Sequence, residues 1–240
     1  MTTPASRRDR LLCALEVAAV ALLLAAQIWL VWEWLPNGAA AQRAVRIAMV
    51  VLLVAVIVES FLRVRDSRAD LGLTAAHMKA GWGSIAVFTA IAFIMLVVTA
   101  FLFHGITLSD VNPNWLFTYT HGMLGQQLAL QWLLNNRVHR ALGGINEPSR
   151  TTLTVMLCVV VFTMLHAPNP GLMLSVAPAG AFWCWHFRRF HNLPALLVSH
   201  LLLGGTAMML LGDTLLLRLR VGPPADIGRG RGAADRTRRW

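Results

Sequence analysis

Long apolar runs recur along most of this chain and leave little sequence from which a water-soluble domain could form its surface. Of the 240 residues, 57% are hydrophobic and 13% are charged. A run of about 20 apolar residues is long enough to cross the hydrocarbon core of a bilayer as a helix. The sequence therefore predicts an all-α fold, a polytopic membrane helical bundle of about seven or eight transmembrane helices.

The predicted spans cover residues 11–35, 45–62, 82–104, 116–136, 151–167, 171–187 and 193–217. The charged segment between the second and third spans, Arg63 to Ala80, is predicted to lie on the membrane surface as an amphipathic piece. We expect no cleavable signal, because the first apolar run is too long and ends in tryptophans rather than in a small-residue cleavage site. Three regions follow: 1–68 with two spans, 69–217 with the remaining spans, and a basic tail over 218–240 that is predicted to be disordered.

The distribution of Lys and Arg predicts the orientation. If the N-terminus is cytoplasmic, the inner segments carry Arg7, Arg8, Arg10, Arg63, Arg65, Arg68, Lys79, Arg137, Arg140, Arg150, Arg188 and Arg189, and the outer loops carry only Arg43 and Arg46. This asymmetry follows the positive-inside rule, and it predicts a cytoplasmic N-terminus. As a separate expectation, the protein is placed in a bacterial inner membrane. The tail holds the remaining basic residues, and seven full spans would place it outside. Either the last apolar stretch turns back at Gly204-Gly205 or the tail is translocated, and the sequence leaves both open.

The net charge of +10 does not indicate nucleic acid, because the basic residues concentrate beside apolar segments where topology explains them. The expected partners are membrane lipids and a membrane-anchored peptide or protein substrate. Cys13, Cys158 and Cys184 form no CxxC pair and are predicted to be small buried residues. No cofactor and no metal site is expected.

Polar side chains inside the apolar stretches are the candidate functional residues. On a helix, Gln127, Gln131 and Asn135 are spaced i, i+4, i+8 and form one stripe. Thr120 extends this stripe, and Gln126 points about 100° away toward a second side of the same interior space. These amides either bridge neighbouring helices, at about 0.6 kcal/mol each, or line a polar cavity.

Two further signals lie downstream. Phe162 stands one helical turn before His166, and His200 lies in the last apolar stretch beside Ser199. A single buried histidine is usually a hydrogen-bonded packing residue. Two histidines and several glutamines on separate helices are more simply explained by convergence on one cavity.

The order of these motifs resembles the CPBP family of intramembrane proteases, which includes the CAAX prenyl proteases and the bacterial self-immunity (Abi) proteins. The family's first motif is Glu-Glu-x-x-x-Arg, and Gln126-Gln127-x-x-x-Gln131 stands in its place here. The second, Phe-x-x-x-His, is matched by Phe162 and His166. His200 resembles the third, with Gly204 where the family has Asn or Asp. Together with Ala69-Asp70-Leu71-Gly72-Leu73, which resembles the entry to the family's domain, the similarity covers roughly residues 69 to 210.

The resemblance implies a glutamate that activates water and histidines that bind the water and stabilise the oxyanion. General acid–base help of this kind is worth roughly 10²–10⁴ in rate, and a glutamine amide cannot accept the proton. The arginine of the motif is lost together with its carboxylates, which is coherent because an unpaired buried arginine costs several kcal/mol. The other acidic residues, Glu16, Glu33, Glu59 and Asp213, belong to other spans and are not expected to replace the lost pair.

We therefore predict a catalytically degenerate CPBP-like protein, a pseudoenzyme that keeps a peptide-binding cavity. One alternative is an active intramembrane endopeptidase, a hydrolase that uses His166 or His200 as base to cleave C-terminal anchor or CAAX-like substrates. In a variant of that alternative, His121 or His104 would join them around a zinc ion, although no HExxH-type spacing is present. A transporter or channel component is the last alternative, and it lacks the repeats that are common in transporters.

Overall fold

The computed structural model describes residues 6–33, 40–64, 66–104, 113–167 and 169–211, and all regular structure within these ranges is helical. The all-α prediction is confirmed for this part of the chain. The basic tail, Asp213 and the side chain of His104 lie outside what is described. The helices are α1 (Arg7–Glu33), α2 (Ala40–Val64), α3 (Ala75–Lys79), α4 (Trp82–His104), α5 (Pro113–Gln127), a π-helical segment (Leu128–Asn135), α6 (Asn136–Ala141), α7 (Glu147–Met164), α8 (Pro170–Phe190) and α9 (Leu193–Leu211).

Three helices are long and apolar enough to cross a membrane: α2 over Ile47–Val64, α4 over Trp82–Leu102 and α9 over Leu193–Leu211. Helix α4 is apolar on its outer side as well, with Ile94 and Phe101 largely exposed. A helix that is apolar all round is either buried or faces lipid. These helices support a membrane protein, and the number of seven or eight spans remains a prediction.

Local signals explain where the central helices begin and end. Asn146 caps α7 by accepting a hydrogen bond from the backbone N–H of Ser149, and Asn169 caps α8 in the same way through Leu172. Each helix has a proline in its first turn, where the missing N–H costs no hydrogen bond. Helix α8 ends at His191, whose positive φ of 49° stops the helix. Because only a few residues separate the end of α7 from the start of α8, the two helices pack against each other as an antiparallel pair.

The core forms where this pair meets α4, α9 and the π-helical segment. Its buried members include Leu130, Leu134, Phe162, Trp183, Phe187 and Leu196. Helix α4 packs along α9, and α1 packs against α2 and α6. The predicted boundary near residue 68 therefore separates regions that are in contact through α1 and α6. All three cysteines are buried and unpaired, as the sequence predicted.

The segment after α2 is docked against the bundle, and its place on the membrane surface stays a prediction. Only Ala75–Lys79 is helical, and the backbone carbonyls of the segment accept hydrogen bonds from core helices. Trp132 Nε1 donates to Leu71 O at 2.9 Å, and Asn136 Nδ2 donates to Asp70 O at 3.0 Å. Gly72 makes this docking possible, because its φ is +70° and a side chain there would collide with the backbone of His191. The segment is therefore part of the bundle.

The segments that the charge count assigns to one side of the membrane meet at one end of the bundle. Arg10 lies against Gly143 and Gly144, and Asn192 Nδ2 donates to Ala80 O at 2.6 Å. One of the two alternatives for the C-terminal tail, in which the last apolar stretch turns back on itself, is excluded. Helix α9 runs unbroken from Leu193 to Leu211, so the chain does not turn back at Gly204-Gly205.

Candidate functional site

The predicted polar stripe is present as a chain of hydrogen-bonded amides, which we call the amide ladder: Gln127, Gln131 and Asn135. Gln131 Nε2 donates to Gln127 Oε1 at 3.3 Å, and Asn135 Nδ2 donates to Gln131 Oε1 at 2.9 Å. The same Asn135 amide also donates to Cys184 O at 3.0 Å, which ties the ladder to α8. All three side chains are fully buried. The spacing of these amides in the sequence thus predicted their common face.

The ladder runs along a π-helical segment, in which the backbone hydrogen bonds skip one residue more than in an α-helix. Such segments are rare and are frequently found at functional sites. Here the segment turns Leu130, Gln131, Leu133, Leu134 and Asn135 toward the interior, so polar and apolar residues are buried side by side. The ladder therefore lies in the irregular segment between two regular α-helices, α5 and α6.

At its Gln127 end, which we call the upper end, the ladder contacts His200. Gln127 Nε2 lies 3.1 Å from His200 Nδ1. Because Gln127 Oε1 already accepts from the ladder, its amide nitrogen donates, and His200 Nδ1 is the acceptor. The ring proton of His200 is then on Nε2. The indole of Trp183 lies against the His200 ring, with 4.5 Å between ring centroids.

Tyr119 is the site residue that sequence reasoning missed. Its hydroxyl donates to His200 O at 3.4 Å and occupies the space where a side chain at position 204 would begin. Gly204, the position where the resembled family has Asn or Asp, is therefore filled by the phenol of another helix. The one available signal was the glycine itself, since a missing side chain in a packed interior requires a neighbour that fills it.

His166 and Phe162 form the third part of the site. His166 Nδ1 lies 2.6 Å from Phe162 O one turn earlier, so this nitrogen donates and Nε2 is left as an acceptor. The two rings meet edge to face at 4.7 Å, and Phe162 in turn packs against Gly180. His166 is buried and is an electrostatic neighbour of His200. The Phe-x-x-x-His motif thus positions a histidine beside the ladder's upper end.

Other predicted members do not join the site. Gln126 is exposed, so it does not address the interior space that Gln127 enters. His121 is also exposed, and its Nδ1 bonds to Phe117 O at 2.8 Å. Thr120 is half-buried on α5. Across the described ranges, no three His, Cys, Asp or Glu side chains are placed to hold a metal ion, so the zinc alternative has no ligand set there.

Beyond the lower end of the ladder lies a buried charged cluster that sequence reasoning also missed. Arg137 is fully buried, and its Nη2 contacts Asp66 Oδ2 at 2.6 Å while its Nε contacts Glu16 Oε2 at 3.4 Å. Arg63 pairs with the other oxygen of Glu16, and Arg140 pairs with the other oxygen of Asp66, at 2.8 Å. The cluster was missed because its acids and bases are far apart in sequence. In the sequence, Arg137 was used only to predict the orientation in the membrane, and Glu16 was assigned to a different span.

A groove of about 410 Å³ runs along the outside of the site, between α4 and α9. Its walls are mainly apolar and include Trp82, Phe93 and Leu202. Its polar lining is the pair Thr89 and Ser199, in which the Thr89 hydroxyl donates to Ser199 Oγ at 2.7 Å. Ser199 also accepts from Trp183 Nε1, the indole that covers His200. Two residues, Trp183 and His200, therefore separate the groove from the amide ladder.

Comparison with family models, with curated proteins and with solved structures finds no match to this chain. The resemblance to the CPBP proteases therefore stands on the motif residues themselves.

Proposed function

We propose that the chain is a CPBP-like, seven-span protein of the bacterial inner membrane that binds a membrane-embedded peptide without hydrolysing it. The observation that carries this proposal is the amide ladder, whose side chains are all uncharged. From His200 to Asn135, each step is a hydrogen bond between neutral groups. The ladder itself contains no group that could take a proton from water near neutral pH, and its His200 end is where the two histidines lie.

The nearest buried carboxylates support the same conclusion. Glu16 and Asp66 lie beyond the far end of the ladder, and each contacts two guanidinium groups. Each carboxylate is thus already engaged by two cationic partners. It would have to break a buried ion pair before it could activate water, which costs several kcal/mol.

The groove between α4 and α9 is the candidate binding surface. Its volume is within the range of ligand pockets, roughly 300–1,000 Å³. Its apolar walls suit an apolar peptide helix in a bilayer, and the Thr89–Ser199 hydroxyls supply the polar contact that small residues offer between membrane helices. The groove adjoins Trp183 and His200, so a peptide bound there would contact the shell of the polar site.

One observation favours an active endopeptidase as the second candidate. His166 Nδ1 is oriented by a backbone carbonyl, which leaves Nε2 directed away from that bond as a proton acceptor. A histidine whose second nitrogen is fixed in this way is the usual form of a general base. In this candidate His166 acts directly on water or on a substrate near His200.

A cleavage assay in membranes separates the two candidates. Wild type and His166→Ala are incubated with a panel of peptides that carry a C-terminal membrane anchor. We expect no turnover by either protein. Turnover by wild type that is lost in His166→Ala would establish the endopeptidase. Activity that appears only when Gln126→Glu, Gln127→Glu and Gln131→Arg are combined would show that the degenerate motif is what stops hydrolysis.

Binding is measured independently by photo-cross-linking. A cross-linking side chain replaces Leu202, which lines the groove, and in a matched control it replaces Leu174, which is 79% exposed on α8. We expect the anchor peptides to label position 202 at least several-fold more than position 174. Equal labelling would mean that the peptides only diffuse past the protein in the bilayer, and would contradict peptide binding in the groove.

A further inference from the structure

Arg188 is a half-buried arginine without a carboxylate partner among the described residues. The other interior arginines at this end of the bundle are paired: Arg137 and Arg140 with Asp66, and Arg150 with Glu147 at 3.2 Å. Arg188 contacts two uncharged groups instead. Its Nη1 donates to Asn136 Oδ1 at 2.9 Å, and its Nη2 donates to His191 Nε2 at 3.4 Å.

Both partners of Arg188 are themselves fixed. Asn136 Nδ2 donates to the backbone carbonyl of Asp70, so its oxygen is turned toward the guanidinium. His191 is held by the left-handed turn that ends α8, and its ring packs against Phe187 and His77. The guanidinium is therefore clamped in one orientation. A guanidinium has five N–H donors, of which two are used, so the remaining three are not bonded within the described chain.

The two nearest carboxylates are committed elsewhere. Glu147 contacts His139 Nε2 and Arg150, each at 3.2 Å. Asp70 accepts from the backbone N–H and the hydroxyl of Ser67, at 3.0 and 2.8 Å. Both act on Arg188 through space without contacting it. Arg150 is the like charge that acts on Arg188.

The electrostatics of the neighbours show that the positive charge of Arg188 is buried. Burial lowers the pKa of Arg188 to about 10. The negative charge of Glu147 raises this pKa, and the positive charge of Arg150 lowers it further. Burial also lowers the pKa of His191 to about 4, and the charge of Arg188 adds to that effect. A fixed arginine in such a field favours an anion with several acceptor oxygens, which a planar guanidinium binds through more than one hydrogen bond.

The position of Arg188 in the bundle indicates which anion is within reach. Asn192, which follows the clamp, is bonded to Met78 and Ala80, so the clamp is level with the start of α4 at Trp82 and of α9 at Leu193. Both helices are long and apolar enough to cross a membrane, and the clamp therefore lies where the hydrocarbon region begins. The oxygen-rich anions most abundant at that depth are phosphate groups of lipids.

We propose that Arg188, clamped by Asn136 and His191, is the centre of a binding site for a phosphate group, carried by an anionic lipid headgroup or by a soluble phosphate. The site is separate from the amide ladder and does not depend on the proposed peptide binding.

The test compares Arg188→Gln with Arg189→Gln in the purified full-length protein. The two substitutions remove the same charge from adjacent residues, but Arg189 is exposed and has no interaction among the described residues. Phosphatidylglycerol and phosphatidylcholine are added in neutral detergent, and bound lipid is counted by native mass spectrometry. In parallel, inorganic phosphate is titrated against sodium chloride at equal ionic strength, and the shift in unfolding temperature is recorded.

We expect wild type and Arg189→Gln to retain phosphatidylglycerol over phosphatidylcholine, and Arg188→Gln to bind it about tenfold more weakly, which is the effect of losing one charge-assisted contact. Binding of the lipid alone identifies a headgroup site, and stabilisation by inorganic phosphate alone identifies a soluble ligand. Equal behaviour of Arg188→Gln and Arg189→Gln toward both probes would overturn the proposal.

If Arg188→Gln does not fold, Arg188→Lys and Arg189→Lys replace the pair. Lysine keeps the charge but cannot hold Asn136 and His191 together while it presents further donors. We expect at least threefold weaker binding in Arg188→Lys alone. Equal binding by the two lysine variants would again refute a clamped phosphate site.

Discussion

Removal of the buried Arg137 guanidinium should destabilise the bundle more than removal of a partly exposed charge. Arg137→Met keeps the length and the apolar stem of the side chain and deletes its contacts with Asp66, Glu16 and Ser60. The two carboxylates are then left buried, Asp66 with a side chain that is 0% exposed and Glu16 at 8%. Breaking a buried ion pair by removing one partner typically costs about 3–5 kcal/mol.

The expected cost lies at the lower end of that range, about 3 kcal/mol, because neither carboxylate loses every partner. Asp66 keeps Arg140 at 2.8 Å, and Glu16 keeps Arg63. Arg140→Met is the matched control, because it removes a guanidinium from the same Asp66. The Arg140 side chain is 34% exposed, and partly exposed ion pairs contribute about 1 kcal/mol or less.

The assay is reversible unfolding of the purified protein in mixed micelles, followed by tryptophan fluorescence, for both single variants and for Arg137→Met combined with Asp66→Asn. The second change neutralises the carboxylate that the first leaves unpaired, so the double variant should be more stable than the sum of the two single effects predicts, by about 1–3 kcal/mol. A cost for Arg137→Met no larger than that for Arg140→Met would refute the reasoning. Strict additivity in the double variant would do the same.

Two further outcomes are expected. Gly204→Ala should destabilise the protein by about 1–3 kcal/mol, because the new methyl group would overlap the Tyr119 hydroxyl packed there. Gly205→Ala on the same helix is the control: its methyl group meets open space, and it should cost less than about 0.5 kcal/mol. Both variants are measured by the same unfolding assay. Burial and the neighbouring guanidinium lower the pKa of His191 to about 4, so the unfolded chain takes up a proton below its ordinary pKa of 6.5 while the folded chain does not. Stability should therefore fall between pH 6.5 and pH 4, by less than about 1.4 kcal/mol per pH unit for a partly exposed ring. His191→Asn, which tolerates the left-handed turn, should reduce that dependence; an unchanged pH profile would contradict this assignment.

The residues that sequence reasoning located best are those whose partners are local. The i, i+4, i+8 spacing of the amide ladder is a property of one helix, and the structure joins those side chains by hydrogen bonds. The spacing of Phe162 and His166 likewise produced a contact within one helical turn. Gln126 was placed on an interior face by the same geometry, and the structure exposes it because none of the described helices covers that side chain.

The residues that sequence reasoning missed depend on contacts between distant segments. Arg137 contacts Glu16, which lies 121 positions earlier, and nothing in the local pattern around either residue signals the pair. Tyr119 reaches its position because Gly204 on another helix leaves space for it. The docking of the segment before α4 went unpredicted for the same reason, since the side chains that bind its carbonyls come from α6 and from the turn before α9.

The buried charged cluster also determines how the chain can be divided. Both carboxylates that neutralise Arg137 come from residues 1–68, whereas the motifs that resemble a protease all lie after residue 68. A shortened chain that begins at residue 69 would contain the ladder and both histidines, and it would also contain a buried arginine without its counter-ions. The N-terminal region is thus not an accessory to the half that carries the motifs, because its carboxylates complete the electrostatics of that half, and we expect a fragment without it to fold poorly.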